Sequence, residues 1–325
     1  MGTHGSPDTA FLLVGGRNVL DVITDLSDDT EAVTEETTPL GAAWPTHAGV
    51  GVAKCALSLK GFYDDRVGSI DDAISGKEGT AQVVAFGLEG NVVGKQFVGL
   101  AGVFGAKYTR GPARNALHKM DVACVVTGNK DEGVILHGLT AETAAGDTHL
   151  TSIDRALDVK LVKVPIATSS VAAATVITTT VPHGLTDQDV VVIAGHSGST
   201  PAVSGSYTAT VTGPTTFTVP VNVSVGGTGG TVLRAITKNG GAAYLLVKSL
   251  TLGGYTNLAV TIKHSLDNTS FVALGTFAVV TAAPSAERLV VAAGTTVYRW
   301  LDMAWAWTGA GSGQSATFMA GFARG

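Results

Sequence analysis

Residues 174–194 read ATVITTTVPHGLTDQDVVVIA, two runs rich in β-branched residues that flank a Pro, Gly and Asp turn. Runs of this composition with such boundaries are typical of β-strands. The stretch lies within residues 165–233, which hold only two charged residues, Asp187 and Asp189, and no Lys or Arg. Strand-like runs recur there about every ten residues, and this spacing predicts a small β-barrel or β-sandwich.

The charge density returns on both sides of this segment, which indicates a module inserted into a longer β protein. We predict a β domain over residues 1–160, an inserted surface β module over 161–238 and a C-terminal β-sandwich region over 239–325. A chain of 325 residues is long enough to bury more than one core. The part before the insert is acidic and the part after it is basic, so the two ends are suited to head-to-tail pairing between copies.

The composition favours a structural protein. The chain has 42 Gly and only 14% charged residues, as turn-rich all-β proteins and assembling shells do. Cys55 and Cys124 lie in apolar contexts, which favours buried free thiols over a disulfide. The first residues lack a basic segment followed by a long apolar one, and no apolar run reaches the length of a membrane span. We therefore expect a soluble protein made in a reducing cytoplasm.

An acidic stretch follows the first predicted strands, and no Lys or Arg lies between Arg17 and Lys54. Its acids are Asp21, Asp25, Asp28, Asp29, Glu31, Glu35 and Glu36. Pro39 and Pro45 argue against a long helix here. The stretch is either a structured acidic loop or a strand lined with acids, and a solvated charged surface is the simplest role for it.

Apolar alternation predicts strands through most of the remaining chain. One short helix is expected, with Ser69 as its N-cap, Ile70, Ala73 and Ile74 on its apolar side and Gly76 at its end. The predicted strands outside the insert include residues 11–22, 54–62, 82–88, 96–108, 119–126, 133–139, 297–307 and 316–322. The expected fold class is mainly all-β: a β-sandwich or barrel domain with one short helix, an inserted small β domain and a C-terminal sandwich half.

Motifs for catalysis are weak throughout. The eight histidines show neither the HxxxH nor the HxH spacing of a metal site, residues 90–95 are one residue short of a phosphate loop, and residues 195–199 do not match Gly-x-Ser-x-Gly. The basic residues between Lys107 and Lys119 suit a subunit contact better than a nucleic-acid reader. We expect no enzyme activity, no cofactor and no metal.

Several motifs together resemble the major tail tube protein of long non-contractile tailed (siphovirus-type) bacteriophages. The resemblance covers most of residues 11–145 and 242–325. It is carried by residues 35–41 (EETTPLG) with Trp44, 61–65 (GFYDD) with the helix at 67–73, 86–91 (FGLEGN), 132–137 (EGVILH), 250–257 (LTLGGYTN) and 321–324 (GFAR). The insert, with 182–186 (PHGLT) and 205–207 (GSY), is similar to small β modules of phage structural proteins.

The resemblance implies a virion protein with two packed sheets and a flanking helix. Copies would form rings whose inner sheets join sideways into a β-barrel, and stacked rings would make a tail tube through which DNA passes without specific binding. The implied partners are further copies of the chain and the tail tip and terminator proteins, in a virion tail assembled in the host cytoplasm. The insert would project outward.

The resemblance also assigns site residues. Channels of this kind tend to be acidic, so the candidate lumen acids are Asp21, Asp25, Asp28, Asp29 and Glu31. A long loop reaches the neighbouring ring in such proteins, and the candidates here are Thr37, Pro39, Leu40 and Trp44.

Two questions stay open at this stage. The rings hold six copies, or three copies if residues 242–325 are a degenerate second tube domain; the absence of a second predicted helix favours six. The alternative function is a virion decoration or adhesion protein that binds host glycans through Trp300, Trp305 and Trp307, although Trp305 and Trp307 share a strand face with Leu301, which favours core packing. A hydrolase would need a catalytic pair that the motifs do not provide.

Overall fold

The chain is described by a computed structural model. It covers residues 11–31, 34–36, 47–49, 54–77, 79–87, 89–111, 116–147, 153–154, 163–185, 187, 189–234, 240–265 and 268–325. The described residues are mostly β-strand, with one short α-helix and one turn of 3-10 helix at Leu20–Val22. This confirms the expected all-β class.

The helix α1 spans Ile70–Ile74. The strands, in chain order, are β1 (Phe11–Val14), β2 (Arg17–Asn18), β3 (Ile23–Glu31), β4 (Thr34–Glu36), β5 (His47–Gly49), β6 (Lys54–Phe62), β7 (Gln82–Gly87), β8 (Gln96–Gly111), β9 (Lys119–Val126), β10 (Lys130–Glu142), β11 (Gly146–Asp147), β12 (Ile153–Asp154), β13 (Val164–Ser169), β14 (Thr175–Thr179), β15 (Val190–Ala194), β16 (Gly205–Thr208), β17 (Thr210–Gly213), β18 (Thr216–Val219), β19 (Thr231–Arg234), β20 (Gly241–Thr251), β21 (Asn257–Ser265), β22 (Val272–Thr276), β23 (Ser285–Val291), β24 (Trp300–Thr308) and β25 (Ser315–Arg324).

A central sheet joins the two ends of the chain. Its strand order is β2-β1-β7-β8-β10-β25-β20-β23, with antiparallel pairing throughout. Both of its faces are buried. In β25, for example, Phe318 and Phe322 belong to one core and Met319 to another, and all three are 0% exposed. A strand buried on both faces needs an unbroken apolar run, and the segment FMAGFA at 318–323 is such a run.

A polar network fastens one buried face of the central sheet. The hydroxyl of Tyr244 on β20 donates to Asp131 Oδ2 on β10 at 2.6 Å, and Arg288 Nε on β23 donates to the same oxygen at 2.8 Å. Burial and the neighbouring Asp131 carboxylate raise the pKa of Tyr244. The network therefore ties strands that lie far apart in the sequence.

A second, four-stranded sheet begins where β8 leaves the central sheet. The turn is at Gly102, where φ is +67° and an added Cβ would lie 2.8 Å from the backbone nitrogen of Gly128. Beyond this corner β8 pairs with β9, β9 with β6 and β6 with β3, all antiparallel. We call β3, β6, β9 and residues 103–111 of β8 the four-stranded sheet.

The inner face of the four-stranded sheet packs against the central sheet and α1. Leu57, Leu59 and Val122 contribute from the four-stranded sheet, and Leu12 and Val84 contribute from the central sheet. Farther along the same face, the central sheet packs on a C-terminal sheet of order β11-β24-β21-β22, to which β12 adds through β24. The opposite face carries a separate core that includes Phe97, Tyr244 and Met319.

The insert forms a seven-stranded sheet of order β16-β15-β19-β13-β14-β18-β17. Its core includes Ile177, Val191 and Phe217, each 0% exposed, and its one fully buried acid, Asp189, pairs with Arg234 at 2.8 Å. The two strands expected within residues 174–194 are present as β14 and β15, and further strands follow at the expected short spacing.

Most elements predicted outside the insert are also confirmed. The helix forms where expected, with Ser69 at its N-cap, although the Ser69 hydroxyl donates to Asp64 and not to the helix backbone. Most of the described acidic stretch is strand and not loop: residues 23–31 form β3 and 34–36 form β4, whereas Asp21 lies in the 3-10 turn. Two strand predictions are too long. The stretch 11–22 forms β1, β2 and the 3-10 turn at Leu20–Val22. β24 begins at Trp300, so residues 297–299 lie outside it because Tyr298 N–H donates to the imidazole of His264 and not to a neighbouring strand.

Candidate assembly surface

The four-stranded sheet has two open edges within the described part of the chain. There, β3 pairs only with β6, and residues 104–111 of β8 pair only with β9. An open edge presents unpaired backbone N–H and C=O groups and is a ready template for another strand. These two edges are therefore the strongest candidate for a functional surface.

The β3 edge is acidic because of how the strand alternates. Asp25, Asp29 and Glu31 are exposed and lie on the outer face of the sheet, opposite Lys60, Ala56 and Lys54 of β6. The Ser27 hydroxyl, on the same face, donates to Asp29 Oδ2 at 2.8 Å. Leu26, on the other face, packs on the core.

Asp28 lies on the inner face, unlike its acidic neighbours. It sits opposite Leu57 and forms an ion pair of 2.6 Å with Lys130 at the start of β10. The Cys55 thiol donates to its carboxylate at 3.6 Å, and burial together with the Asp28 charge raises the pKa of Cys55. Both cysteines are free thiols, with Cys124 buried and Cys55 half-buried.

Asp21 stands apart from the strand, in the 3-10 turn. Its side chain is 65% exposed and lies 3.6 Å from Arg66. Arg66 is held chiefly by Asp64, whose pKa its guanidinium lowers by hydrogen bonding. The five candidate lumen acids thus occupy three settings: three on the outer face, one on the inner face and one in a turn.

The β8 edge carries basic side chains. Lys107 is exposed on the outer face, opposite Ala123 of β9. Arg110 lies on the other face and contacts Asp71 of α1 at 2.5 Å, with the rings of Tyr63 and Tyr108 at 5.4 and 5.0 Å. Burial and the hydrogen bond to Asp71 raise the pKa of Tyr108 to about 12. Arg110 therefore anchors the helix, whereas Lys107 projects freely.

The outer face of the sheet alternates in charge from strand to strand. Asp25 of β3 lies opposite Lys60 of β6, Lys60 opposite Asp121 of β9, and Asp121 opposite Thr109 of β8. Lys119 lies beside this row. An open concavity of about 570 Å³ covers this part of the face. The surface is concave and bears acids and bases together.

Residues 32–53 connect β3 to β6, and we call this segment the hairpin arm. After the last pair of the ladder, Glu31 with Lys54, the chain forms the short antiparallel pair β4–β5. The candidate inter-ring residues Thr37, Pro39, Leu40 and Trp44 belong to this arm and lie outside the described residues.

The tryptophans proposed for glycan binding are placed differently from one another. Trp305 is 8% exposed, belongs to the core and donates its indole N–H to the Ala144 carbonyl at 2.8 Å. Trp307 is half-buried against the same core. Trp300 is half-buried beside the Arg299 guanidinium. Core packing accounts for Trp305 and Trp307.

Sequence reasoning missed Lys60 and Asp121 as parts of this surface, whereas Lys107 and Lys119 belong to the basic stretch that was expected in a subunit contact. The strict alternation of exposed and buried residues in β9 was available as a signal, since it assigns Lys119 and Asp121 to the solvent side. The pairing of β6 between β3 and β9, which places their charges side by side, was not readable from the sequence. No group of three metal-ligating side chains occurs among the described residues, and no described helix is long and apolar enough to cross a membrane.

The ion pair of Asp28 and Lys130 gives a test of the local packing. In Lys130→Met the stem of the side chain is kept and the charge is lost, which leaves Asp28, 13% exposed, without its cation. We expect a loss of about 1–2 kcal/mol in the free energy of unfolding, measured by chemical denaturation. Adding Asp28→Asn to Lys130→Met is expected to recover part of the lost free energy of unfolding, because the uncompensated charge is then removed. Lys119→Met, an exposed control, is expected to cost less than about 0.5 kcal/mol; equal losses in the two single variants would contradict the assignment.

Comparisons with known proteins return structural matches only. No protein-family model matches the chain, and no curated protein matches its sequence. Among solved structures, a chain from the tail of an empty gene transfer agent particle is 15% identical, with 34% of this chain and 80% of that chain covered and a TM-score of 0.28. A chain of the sheath–tube complex of an extracellular contractile injection system is 11% identical, with 39% and 88% covered and a TM-score of 0.28.

The Dit protein of phage SPP1, described as a hub of the adsorption apparatus in phages that infect Gram-positive bacteria, is matched over a longer stretch. It is 7% identical, with 96% of this chain and 98% of that chain covered and a TM-score of 0.29. At these identities and scores, the matches do not define a family for this chain.

Proposed function

We propose that this chain is a structural subunit of a bacteriophage tail that associates sideways with copies of itself. In the finer form of the proposal, the copies form rings, the rings stack into a tail tube, and the tube is a passive conduit for DNA. The observation that carries the proposal is that the four-stranded sheet has two open edges within the described part of the chain; a concavity also lies on the part of its outer face around Asp25, Lys60 and Asp121. A monomer gains nothing from leaving two strand edges unpaired, whereas a ring pairs both.

The strand directions support ring formation. Each strand of the four-stranded sheet is antiparallel to the next, so β3 and β8 run in opposite directions. When a copy is repeated by rotation about one axis, β3 of one copy therefore meets β8 of the next in antiparallel orientation. The hydrogen-bonding pattern of the sheet then continues across the subunit boundary without a change of type.

The number of strands favours six copies over three. Six copies with four strands each supply 24 strands; three copies supply twelve from this sheet and reach the same number only if residues 242–325 add a second four-stranded tube sheet. Barrels of about eight strands are filled by side chains, and a water-filled channel opens at about 16 strands. A conduit for DNA needs the larger ring, so we retain the hexamer as the preferred form.

The outer face, turned toward the channel, is suited to DNA that passes without binding. Lys60 lies between two carboxylates, Asp25 and Asp121, in the cross-strand row. A phosphate would have to compete with these neighbours for the cation, so few condensed counterions would be released on contact. We propose alternating charges as the channel lining, in place of the purely acidic wall expected from the sequence.

The remaining features take roles consistent with this assembly. The hairpin arm that follows β3 would contact the neighbouring ring, and the seven-stranded insert, with the boundaries 161–238, would project outward. Tail tip and terminator proteins would cap the tube, and the location would be the virion tail. The proposal contains no enzymatic step. The glycan-binding alternative depended on exposed tryptophans on β24. Trp305 is a core residue, so this support is removed.

Electron microscopy of the purified chain across a concentration series tests the proposal. Rings or tubes with a central channel are expected, with the ring order read from end-on views. A folded chain that stays monomeric at every concentration, also after addition of preformed tube ends, would contradict self-association.

A further inference from the structure

The two edges of the four-stranded sheet carry opposite charge, and this suggests a rule for how copies pair. The β3 edge presents Asp25, Asp29 and Glu31, and no Lys or Arg lies between Arg17 and Lys54. The β8 edge presents Lys107, and no Asp or Glu lies between Glu89 and Asp121. No described carboxylate lies within ion-pair distance of Lys107. Its side chain is exposed, so its ammonium group can meet a carboxylate of another copy.

We propose that Lys107 fixes the polarity of subunit pairing by binding the carboxylates of Asp25 and Asp29 on the next copy. This inference rests on the proposed sideways association and adds to it the residues that select its direction. Its partner is a second copy of this chain.

The registers of the sheet place these groups together. If the cross-strand rows continue from one copy to the next, Lys107 lies in the row of Ser27 and Ala123, and Ser27 of the next copy faces it. Asp25 and Asp29 are then its two diagonal neighbours, within reach of a long side chain. A shift of two residues in either direction puts Lys107 directly opposite one of them. Contact between Lys107 and Asp25 or Asp29 is therefore preserved in this register and after a shift of two residues in either direction.

The same charges oppose the wrong pairings. Two β3 edges would bring the carboxylates of Asp25, Asp29 and Glu31 against each other, and two β8 edges would bring two copies of Lys107 together. Like charges directly opposite each other destabilise strand pairing. Dimers that join two β3 edges or two β8 edges are therefore disfavoured. Head-to-tail pairing, which is the type that closes rings, is favoured.

A charge-exchange experiment on the full chain tests this inference. Lys107→Glu makes both edges acidic, and the double variant Asp25→Lys/Asp29→Lys makes both edges basic. Each alone is expected to need an about tenfold higher concentration to assemble than the unaltered chain, measured by sedimentation and electron microscopy. An equimolar mixture is expected to assemble at the original concentration, because each altered edge then meets an edge of opposite charge.

The control is Lys119→Glu, which makes the same charge change on the same face, in the interior strand β9. It is expected to assemble within about twofold of the unaltered chain. Circular dichroism of every variant verifies that it is folded. If the unaltered chain assembles and Lys107→Glu assembles equally well, the inference on polarity is overturned while the proposed function stands. If the unaltered chain itself never assembles, both are overturned. A mixture that fails to recover also overturns the inference.

Discussion

A chain in which residues 32–53 are replaced by the dipeptide Asn-Gly is expected to form single rings that do not stack. The replaced segment is the hairpin arm beyond the last pair of the β3–β6 ladder, Glu31 with Lys54. An Asn-Gly turn is the strongest short connection between two antiparallel strands, so the ladder keeps its register. The edges of the four-stranded sheet are untouched, and sideways pairing is retained.

The reason for the expected loss of stacking is the position of the arm in the chain. It is inserted between the adjacent ends of β3 and β6, at one end of the four-stranded sheet, and strands lie along the ring axis, with a tilt, in a barrel of side-by-side strands. We therefore expect the arm to reach the neighbouring ring. The candidate contact residues Thr37, Pro39, Leu40 and Trp44 all belong to the removed segment.

Electron microscopy at concentrations where the unaltered chain forms tubes measures the outcome. Rings with a tube length reduced to one or two layers are expected. A matched control, Glu35→Gln with Glu36→Gln, removes the two acids of the arm while keeping its length, and it is expected to stack. Tubes of ordinary length from the shortened chain would contradict the role of the arm; a loss of rings as well would place the arm in the sideways contact.

Acidification from pH 6.5 to pH 4 is expected to destabilise the C-terminal core through His264. This imidazole is 6% exposed, and its Nδ1 accepts the backbone N–H of Tyr298 at 3.1 Å. The ring stacks on that of Tyr298 at 4.5 Å. Burial, and secondarily the nearby Arg324 charge, lower the pKa of His264 to about 4. The folded protein therefore holds the neutral ring.

The sign of the effect follows from the two pKa values. Below about pH 6.5 the unfolded chain takes up a proton on this group, and the folded chain does not until about pH 4. The stabilisation is present above pH 6.5 and is lost as the pH falls toward 4. A pKa difference of this size corresponds to about 3 kcal/mol at most.

Tryptophan fluorescence during chemical denaturation reports on this core, because Trp305 belongs to it. His264→Asn keeps a side-chain acceptor for Tyr298 N–H and removes the titration, so its stability is expected to vary less between pH 4 and 6.5 than that of the unaltered chain. His118→Asn, at an exposed position, is the control for loss of an imidazole and is expected to keep the original slope. Parallel pH profiles for His264→Asn and the unaltered chain would contradict the assignment.

The predictability of the fold from sequence depended on whether a strand has one buried face or two. Lys119–Val126 alternates strictly, and its bounds were predicted to the residue. In β25, Phe318 and Phe322 alternate along one face as apolar residues of a strand do, but Met319 on the other face is buried as well. A period of two predicts a strand; it does not reveal a second core behind it.

The candidate site was predictable only in part. The acids of β3 were recognised, because a long stretch without Lys or Arg is visible in the sequence. The division of these acids between faces depends on the register with β6 and a bulge between Ile23 and Asp25, which no local pattern predicts. Lys107 lies at an open sheet edge only because β8 turns at Gly102, which separates the half in the central sheet from the half in the four-stranded sheet. No local pattern in the sequence predicts this turn.

A cryo-electron microscopy reconstruction of the assembled chain, at a resolution that separates strands, tests the central claim most directly. The account predicts β3 of each copy hydrogen-bonded, antiparallel, to residues 104–111 of β8 in the next copy. It also predicts Asp25, Lys60 and Asp121 on the wall of the channel. An assembly in which these two edges stay unpaired, or in which the outer face of the four-stranded sheet turns away from the channel, would contradict it.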